Sequence, residues 1–253
     1  MCYFASIVRS IPALLLTLLL AGSALAEVLF PSPLHITREI TDPITGSKTV
    51  VDEYCHGNRL VSVSARRTAI AEYDRNVVTT IDFEAGTYSV TKFDDLAKAW
   101  EGRPAASLDA QLREAPQWKI ERNGETTEAR RDKQIIRVTA DPRHRITRNA
   151  AEVLLGLAYP NRPDPAAEVL LGALRSKQPR IASDAAGPEY HLPLEQVMRH
   201  EMEGEVLEIR NVVVRVGNEL PPPEVMAVPA GARLVESGAV AARRISDELD
   251  GVQ

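Results

Sequence analysis

From Leu34 to Phe93 apolar and polar residues alternate with period two, and turn-forming clusters interrupt the alternation every few residues. Leu34, Ile36 and Ile40 alternate with His35, Thr37 and Glu39, and a Pro43–Ser47 turn leads into a run through Val50, Asp52 and Tyr54. His56-Gly57-Asn58 precedes Leu60–Ser64, and Asp74-Arg75-Asn76 separates Thr68–Tyr73 from Val77–Phe83. Successive side chains of a strand point to opposite faces, so this pattern makes strands. Connections this short join antiparallel neighbours, because a parallel pair needs a long crossover. The expected unit is therefore a meander with one apolar face, which the rest of the chain must cover.

The stretch IDFEAGTYSV (Ile81–Val90) tests the register of that meander. A loop over Glu84–Thr87 sets Phe83 opposite Tyr88 and Ile81 opposite Val90, with Asp82 against Ser89 and Thr80 against Thr91. A loop shorter by one residue mixes apolar and polar side chains on each face, so the longer one is expected. Further on, Asp94 or Asp95 is placed to cap a short helix through Trp100, and Ser107 another through Leu112. Strand character resumes at Trp118 and Ile120, and Asn123-Gly124 predicts a tight type I′ hairpin into Thr127–Ala140.

Between Ile146 and Ser176 the period becomes helical. Ile146, Ala150, Val153, Leu154 and Leu157 share one face, as do Ala166, Val169, Leu170, Ala173 and Leu174. Asp164 followed by Pro165 is a helix start, and the string AAEVLLG occurs at 150–156 and again at 166–172. Two similar amphipathic helices are expected, with apolar faces suited to the sheet. Strands return at Tyr190–Leu194 and Val197–Met202, and Glu203-Gly204 turns into the long run Val206–Val216, with a bulge expected near Asn211. A strand of that length suits a curved sheet. Pro221-Pro222-Pro223 stops it, Val228–Val235 reads as a turn and last strand, and Val240–Leu249 as a surface helix. The fold class is α+β and β-rich: an antiparallel sheet covered by a few helices.

The N-terminus sets a compartment. Arg9, an apolar run over Ile11–Leu20 and the small-residue end Ala24-Leu25-Ala26 read as a secretory signal peptide over residues 1–26. The apolar run is too short for a membrane helix, and no later stretch is long enough. Cleavage after Ala26 takes Lys+Arg from 30 to 29 against 35 Asp+Glu, so the net charge moves from -5 to -6. An acidic exported chain argues against a nucleic-acid partner. Cys2 leaves with the signal peptide and Cys55 has no partner for a disulfide. Residues 27–236 are expected to form one β-rich domain and 237–253 a tail.

Catalytic chemistry is not written in the chain. Cys55 and His56 are adjacent, and neighbours on a strand point apart, so thiol and imidazole do not meet. His35, His144, His191 and His200 are scattered with no metal-ligand spacing, and Glu201, Glu203 and Glu205 read as an acidic rim. No phosphate-binding glycine loop or nucleophile elbow occurs after residue 26, so neither a cofactor nor a metal is expected.

The patterns EYCHGNRLVSV, VVTTIDFEAGTYSV and LPPPEVMAVPAGARLV, within Leu34–Phe93 and Gly204–Val235, resemble secreted domains of the periplasmic lipoprotein-carrier (LolA-like) superfamily. The resemblance implies a curved antiparallel half-barrel closed by helices around an apolar cavity, and binding of lipid or acyl chains without catalysis. On that reading Ile81, Phe83, Tyr88 and Val90 of the sheet and Val153, Leu154, Leu157 and Leu170 of the helices line the cavity. Arg143, Arg145 and Arg148, with His144, are placed to grip a headgroup at its mouth. The competing expectation is an interaction module with a filled core, binding a protein partner in the cell envelope.

Overall fold

The computed structural model describes residues 28–101, 118–155, 165–175, 189–202, 205–238 and 240–241. They form a single open sheet of 12 strands, in the order β12-β6-β5-β4-β3-β2-β1-β11-β10-β9-β8-β7. The first half of the chain is the expected meander: β1 (Phe30–Thr41), β2 (Lys48–Gly57), β3 (Arg59–Val63), β4 (Arg67–Glu72), β5 (Val77–Asp82) and β6 (Thr87–Lys92). The second half adds β7 (Lys119–Asn123), β8 (Thr126–Arg131), β9 (Gln134–Ile146), β10 (Tyr190–Met202) and β11 (Glu205–Gly217), with β11 docked beside β1. Neighbours are antiparallel except for the last strand, β12 (Arg233–Leu234), which runs parallel to β6.

Asp-x-x-x-Gly sets two of the hairpins. Asp82 Oδ1 accepts from the Ala85 N–H at 2.9 Å, and Gly86 closes the loop at φ 59°. Asp42 does the same with the Ile44 and Thr45 N–H groups at 2.9 and 2.7 Å, and Gly46 sits at φ 67°. A short carboxylate folding onto its own turn and a glycine in the left-handed region are what such loops require. The loop between β5 and β6 is thus Phe83–Gly86, with Asp82 opposite Thr87 and Ile81 opposite Tyr88. Its length is as expected, but it begins earlier, because Asp82 is taken by the turn and Phe83 goes with the loop. The β7–β8 loop also shifts, to Gly124-Glu125, with a left-handed residue only at Gly124. That is the II′ pattern rather than I′. The bulge in β11 falls between the residues opposite Thr37 and Arg38, at Val214, rather than near Asn211.

Four helices lie among the described residues: α1 (Phe93–Glu101), α2 (Arg148–Leu154), α3 (Pro165–Leu174) and the short α4 (Pro223–Met226). Thr147 caps α2, its side chain accepting from the Ala150 N–H at 3.1 Å. Ile146, read above as helical, ends β9, and α3 starts at Pro165 as its sequence predicts. The expected helix at Ser107–Leu112, and the tail helix beyond residue 241, lie outside the described residues.

Direct cross-strand partners share a face, so the register sorts the sheet into two. On one face, Ile136, Val138 and Ala140 of β9 pack with Ala151, Leu155, Leu170, Leu171 and Leu174. Beside them Ile36, Cys55 and Leu192 pack with Ala150, Val153 and Leu154. This is the helix face. On the other face Val61, Ile70 and Ile81 form a separate cluster with Tyr54, Val63, Tyr88 and Met226. Its cover is the segment from Gly217 to Val235, here called the strap, which leaves β11 in mid-sheet and ends on β6. The strap is fastened there by Arg233 N–H to Gly86 O at 3.0 Å and Val235 N–H to Tyr88 O at 2.8 Å.

Candidate functional site

A cavity of about 310 Å³ lies on the helix face between strands β2–β5, β10 and β11 and the end of α2. Its roof is Val153, Leu154 and Leu155, and its floor includes Leu60, Ser62, Ala69, Ala71 and Val78. The opening has a simple steric cause. Ser62 and Ala69 are directly paired, and so are Leu60 and Ala71, so the sheet presents small side chains where a filled core needs large ones.

One end of the cavity is polar. Glu53, Gln196 and Asn211 line it, and Gln196 and Asn211 are direct partners on β10 and β11. Arg38 of β1, only 2 % exposed, donates from Nε to Glu53 Oε2 at 2.6 Å. Its alternation with Ile36 and Ile40 puts Arg38 on the same face as Asn211, the partner of Ile40. A buried guanidinium is tolerable because Glu53 neutralises it, yet Arg38 Nη2 and Asn211 Oδ1 have no hydrogen-bond partner. Such orphaned buried atoms carry a desolvation cost.

The structure separates the sheet residues expected at the cavity from the helix residues. Val153 and Leu154 line it. Leu170 is buried in the neighbouring cluster against β9, and Leu157 lies outside the described residues. Ile81 and Tyr88 sit on the strap face, while Phe83 is 41 % and Val90 55 % exposed. The cause is the parity of the strands. Ile81 shares a face with Thr68, Ile70 and Val61, whereas the helices cover the face carrying Ala69, Ala71 and Val78.

The basic cluster is likewise committed elsewhere. Arg143 donates from Nε and Nη2 to Asp141 at 2.9 and 3.0 Å, and His144 Nδ1 lies 2.9 Å from the same carboxylate. Arg145 pairs with Glu189 at 2.7 Å and Arg148 with Glu152 at 2.8 Å. None of the three lines the cavity. Hydrogen bonds from the Arg143 side chain, opposed by burial and aided by the Arg143 N–H and His144, hold the Asp141 carboxyl well below the usual carboxylate range. Asp141 thereby organises the bulge of residues 142–144 in β9. A structural carboxylate explains the basic residues around it.

Cys55 is 1 % exposed on the helix face, while the adjacent His56 is exposed and faces the other way. Burial, and after it the Glu53 charge, push the Cys55 thiol up, away from the thiolate a nucleophile needs. Among the described residues no group of three or more His, Cys, Asp and Glu is arranged to hold a metal ion. No described helix is long and apolar enough to cross a membrane.

On the strap face His35, 4 % exposed, stands between two carboxylates. Its Nε2 is 3.0 Å from Asp52 and its Nδ1 3.1 Å from Glu219 of the strap, and Tyr54 stacks on the ring at 4.2 Å. Thr37 Oγ1 donates to Asp52 at 2.7 Å, and Arg215 pairs with Glu219. The ring donates to both carboxylates only when it carries both protons. A larger cleft of about 460 Å³ flanks this junction, between Tyr54, Arg59 and Asp74 and the strap residues Leu220, Pro221 and Met226.

No family model matches the chain, and no curated protein matches it. Among solved structures it is similar to an uncharacterized conserved protein from Thermus thermophilus, at 10 % identity and a TM-score of 0.39, over 81 % of this chain and 91 % of that one. It is also similar to PNGF-II, at 9 % identity and a TM-score of 0.35, over 84 % of this chain but only 32 % of PNGF-II. Likeness at this level says nothing about what this chain binds or does.

The polar end of the cavity has a signal in the sequence. In His35-Ile36-Thr37-Arg38-Glu39-Ile40, arginine occupies the apolar side of the alternation, where a strand with one buried face has no use for a free charge. The small residues of the floor, Ser62, Ala69 and Ala71, alternate within the same meander. What no local pattern shows is that β10 and β11, carrying Gln196 and Asn211, dock beside β1 to complete the wall.

Proposed function

We propose that the protein is an exported, non-catalytic carrier or sensor that holds a small amphiphile between its sheet and α2. The cavity carries this reading: an apolar pocket under Val153–Leu155 with polar groups gathered at one end is the shape of a binding site for a molecule with a tail and a head. The buried, protonated thiol of Cys55 and its separation from His56 favour binding over nucleophilic chemistry. Export rests on the sequence of residues 1–26, and a curved half-barrel of the lipoprotein-carrier kind is the architecture that an open antiparallel sheet with helices on one face fits.

Native mass spectrometry of gently purified full-length protein is the test, together with titration by a fluorescent acyl probe. A mass increment that disappears on delipidation, and saturable probe binding, are expected. No increment and no saturable binding would remove the carrier reading in favour of an envelope interaction module. N-terminal sequencing of exported material should begin at Glu27, and a chain retaining Met1 contradicts cleavage.

A further inference from the structure

The larger cleft, between the strap and the sheet, is a second place for a ligand, separate from the carrier cavity on the opposite face. Two of its sides are apolar: the strap supplies Leu220, Pro221 and Met226, and the sheet supplies Tyr54 and Val61. Stacking on His35 fixes the Tyr54 ring, and Pro221 begins a stiff run of three prolines, so these walls are in place before anything binds. The remaining side carries charges of both signs. Arg59, the direct partner of His56, lines the cleft with a side chain 46 % exposed, and its Nη2 donates to Glu72 at 2.6 Å. The other guanidinium donors face outward. Asp74, in the turn after β4, lines the same cleft, is exposed, and makes no hydrogen bond or ion pair with a described residue. Glu72 draws Arg59 to itself and also accepts from Arg75 at 2.9 Å, so Arg59 and Asp74 stand in one cleft without pairing with each other. A ligand with a single charge suits one of them and meets a like charge beside it, whereas a zwitterion suits both. The volume sets the size. At ~30 Å³ for a water-sized group, a cleft of about 460 Å³ holds roughly fifteen heavy atoms, as many as an aromatic amino acid has.

We propose that this cleft binds a free α-amino acid with a large apolar side chain, its carboxylate on Arg59, its ammonium on Asp74 and its side chain between Tyr54 and the strap. The ligand touches both sheet and strap, so its binding also tightens the strap.

Calorimetric titration of the full chain at about pH 7.5 with L-tryptophan, tryptamine and 3-indolepropionate separates the two charges. Tryptophan should bind about tenfold more tightly than either analogue, since each lacks one charge-assisted contact. Asp74→Asn should weaken tryptophan about tenfold and leave 3-indolepropionate within about threefold, with an unchanged thermal midpoint because Asp74 is exposed and unpaired. Hydrogen exchange on the native protein gives a second readout that needs no variant. Tryptophan should slow the strap's Val225 N–H, which donates to Pro222 O at 3.1 Å, and leave the amides of β9 unchanged. The inference is overturned if tryptophan shows no saturable binding, if tryptamine or 3-indolepropionate matches it, if Asp74→Asn leaves its affinity unchanged, or if strap exchange does not slow. Those outcomes leave the carrier reading standing, because the acyl probe that tests it occupies the cavity under α2. A failure of that probe while tryptophan binds removes the carrier reading alone.

Discussion

The two faces of this sheet are built from the same strands with the same alternation, yet they are packed to different ends. On the strap face, Val61, Ile70 and Ile81 fill the space beneath Met226 with branched side chains. On the helix face the same strands carry Ser62, Ala69, Ala71 and Val78, and a cavity remains beneath Val153–Leu155. Each face also buries charge in its own way. Arg38 and Glu53 form a closed pair beside the cavity, whereas His35 bridges Asp52 to Glu219 and so joins the sheet to the strap. The helix face thus keeps its room beneath α2, whereas on the strap face the chain itself covers Ile81 and the larger cleft opens beside that cover, along Tyr54, Val61 and Met226.

The sharpest way to break this comparison is a charge on each side of the burial boundary within one hairpin. Ile81→Asp places an unpaired carboxylate at a fully buried position and should destabilise the fold by about 4 kcal/mol in urea unfolding. Val90→Asp, on the same face but 55 % exposed, should change stability by no more than about 0.5 kcal/mol. Equal costs would mean that the strap does not cover Ile81 as described.

Leu154→Phe asks whether the helix face has room. In a filled core the added volume costs about 1–3 kcal/mol, so a change below about 1 kcal/mol, with at least a tenfold loss of affinity for a fluorescent acyl probe, is expected here. A large stability loss without any change in ligand affinity would argue that the cavity is not the binding site.

Met226→Ala removes the strap's apolar anchor. Met226 is only half-buried, so the expected cost is about 1 kcal/mol, below the range for a fully buried methionine. The informative readout is local: the Val235 N–H bonded to Tyr88 O should exchange faster than amides of β9, which the strap does not cover.

The smallest effect is the pH dependence of the strap. Burial raises the Asp52 carboxyl, but hydrogen bonds from Thr37 and His35 and the nearby Arg215 charge outweigh it, and the group ends below its ordinary 3.8. Glu219 is held below its ordinary 4.5 by a backbone hydrogen bond, then by His35 and Arg215. Both values are depressed on folding, so both carboxylates add stability above their ordinary values and lose it as pH falls through the folded ones. Strap protection in hydrogen exchange should therefore hold at pH 6 and decline below about pH 4. Asp52→Asn should flatten that decline, and a decline that persists unchanged would assign it to other groups.

Much of the fold is legible because it is local. The meander from β1 to β6 follows from period two and short turns, α3 starts at the proline that predicts it, and β11 is one long bulged strand. Two register errors come from turn chemistry. The apolar pattern and the Asn-Gly dipeptide misplace the loops after Asp82 and at Asn123, because those loops are set by a carboxylate bonding its own turn and by where the left-handed glycine falls. The candidate site is half legible: α2 contributes Val153 and Leu154 as its periodicity suggests, whereas Ile81, Tyr88 and Val90 stand on the strap face, opposite α2, and Phe83 is in the loop.

The amino-acid sequence by itself determined that the chain forms antiparallel strands with some helices, where most of them begin, and that Cys55 and His56 point apart. These follow from the intrinsic geometry of strand and turn, which acts over a few residues. Only the tertiary structure decided which side of β3–β5 the helices cover, because both sides carry apolar residues, Leu60, Ala69, Ala71 and Val78 on one and Val61, Ile70 and Ile81 on the other. It also decided that the strap returns to cover Ile81, and that β10 and β11 bring Gln196 and Asn211 to Arg38 and Glu53. Those pairings join residues more than a hundred positions apart, and they are selected by the burial they achieve together, which no short stretch of sequence contains.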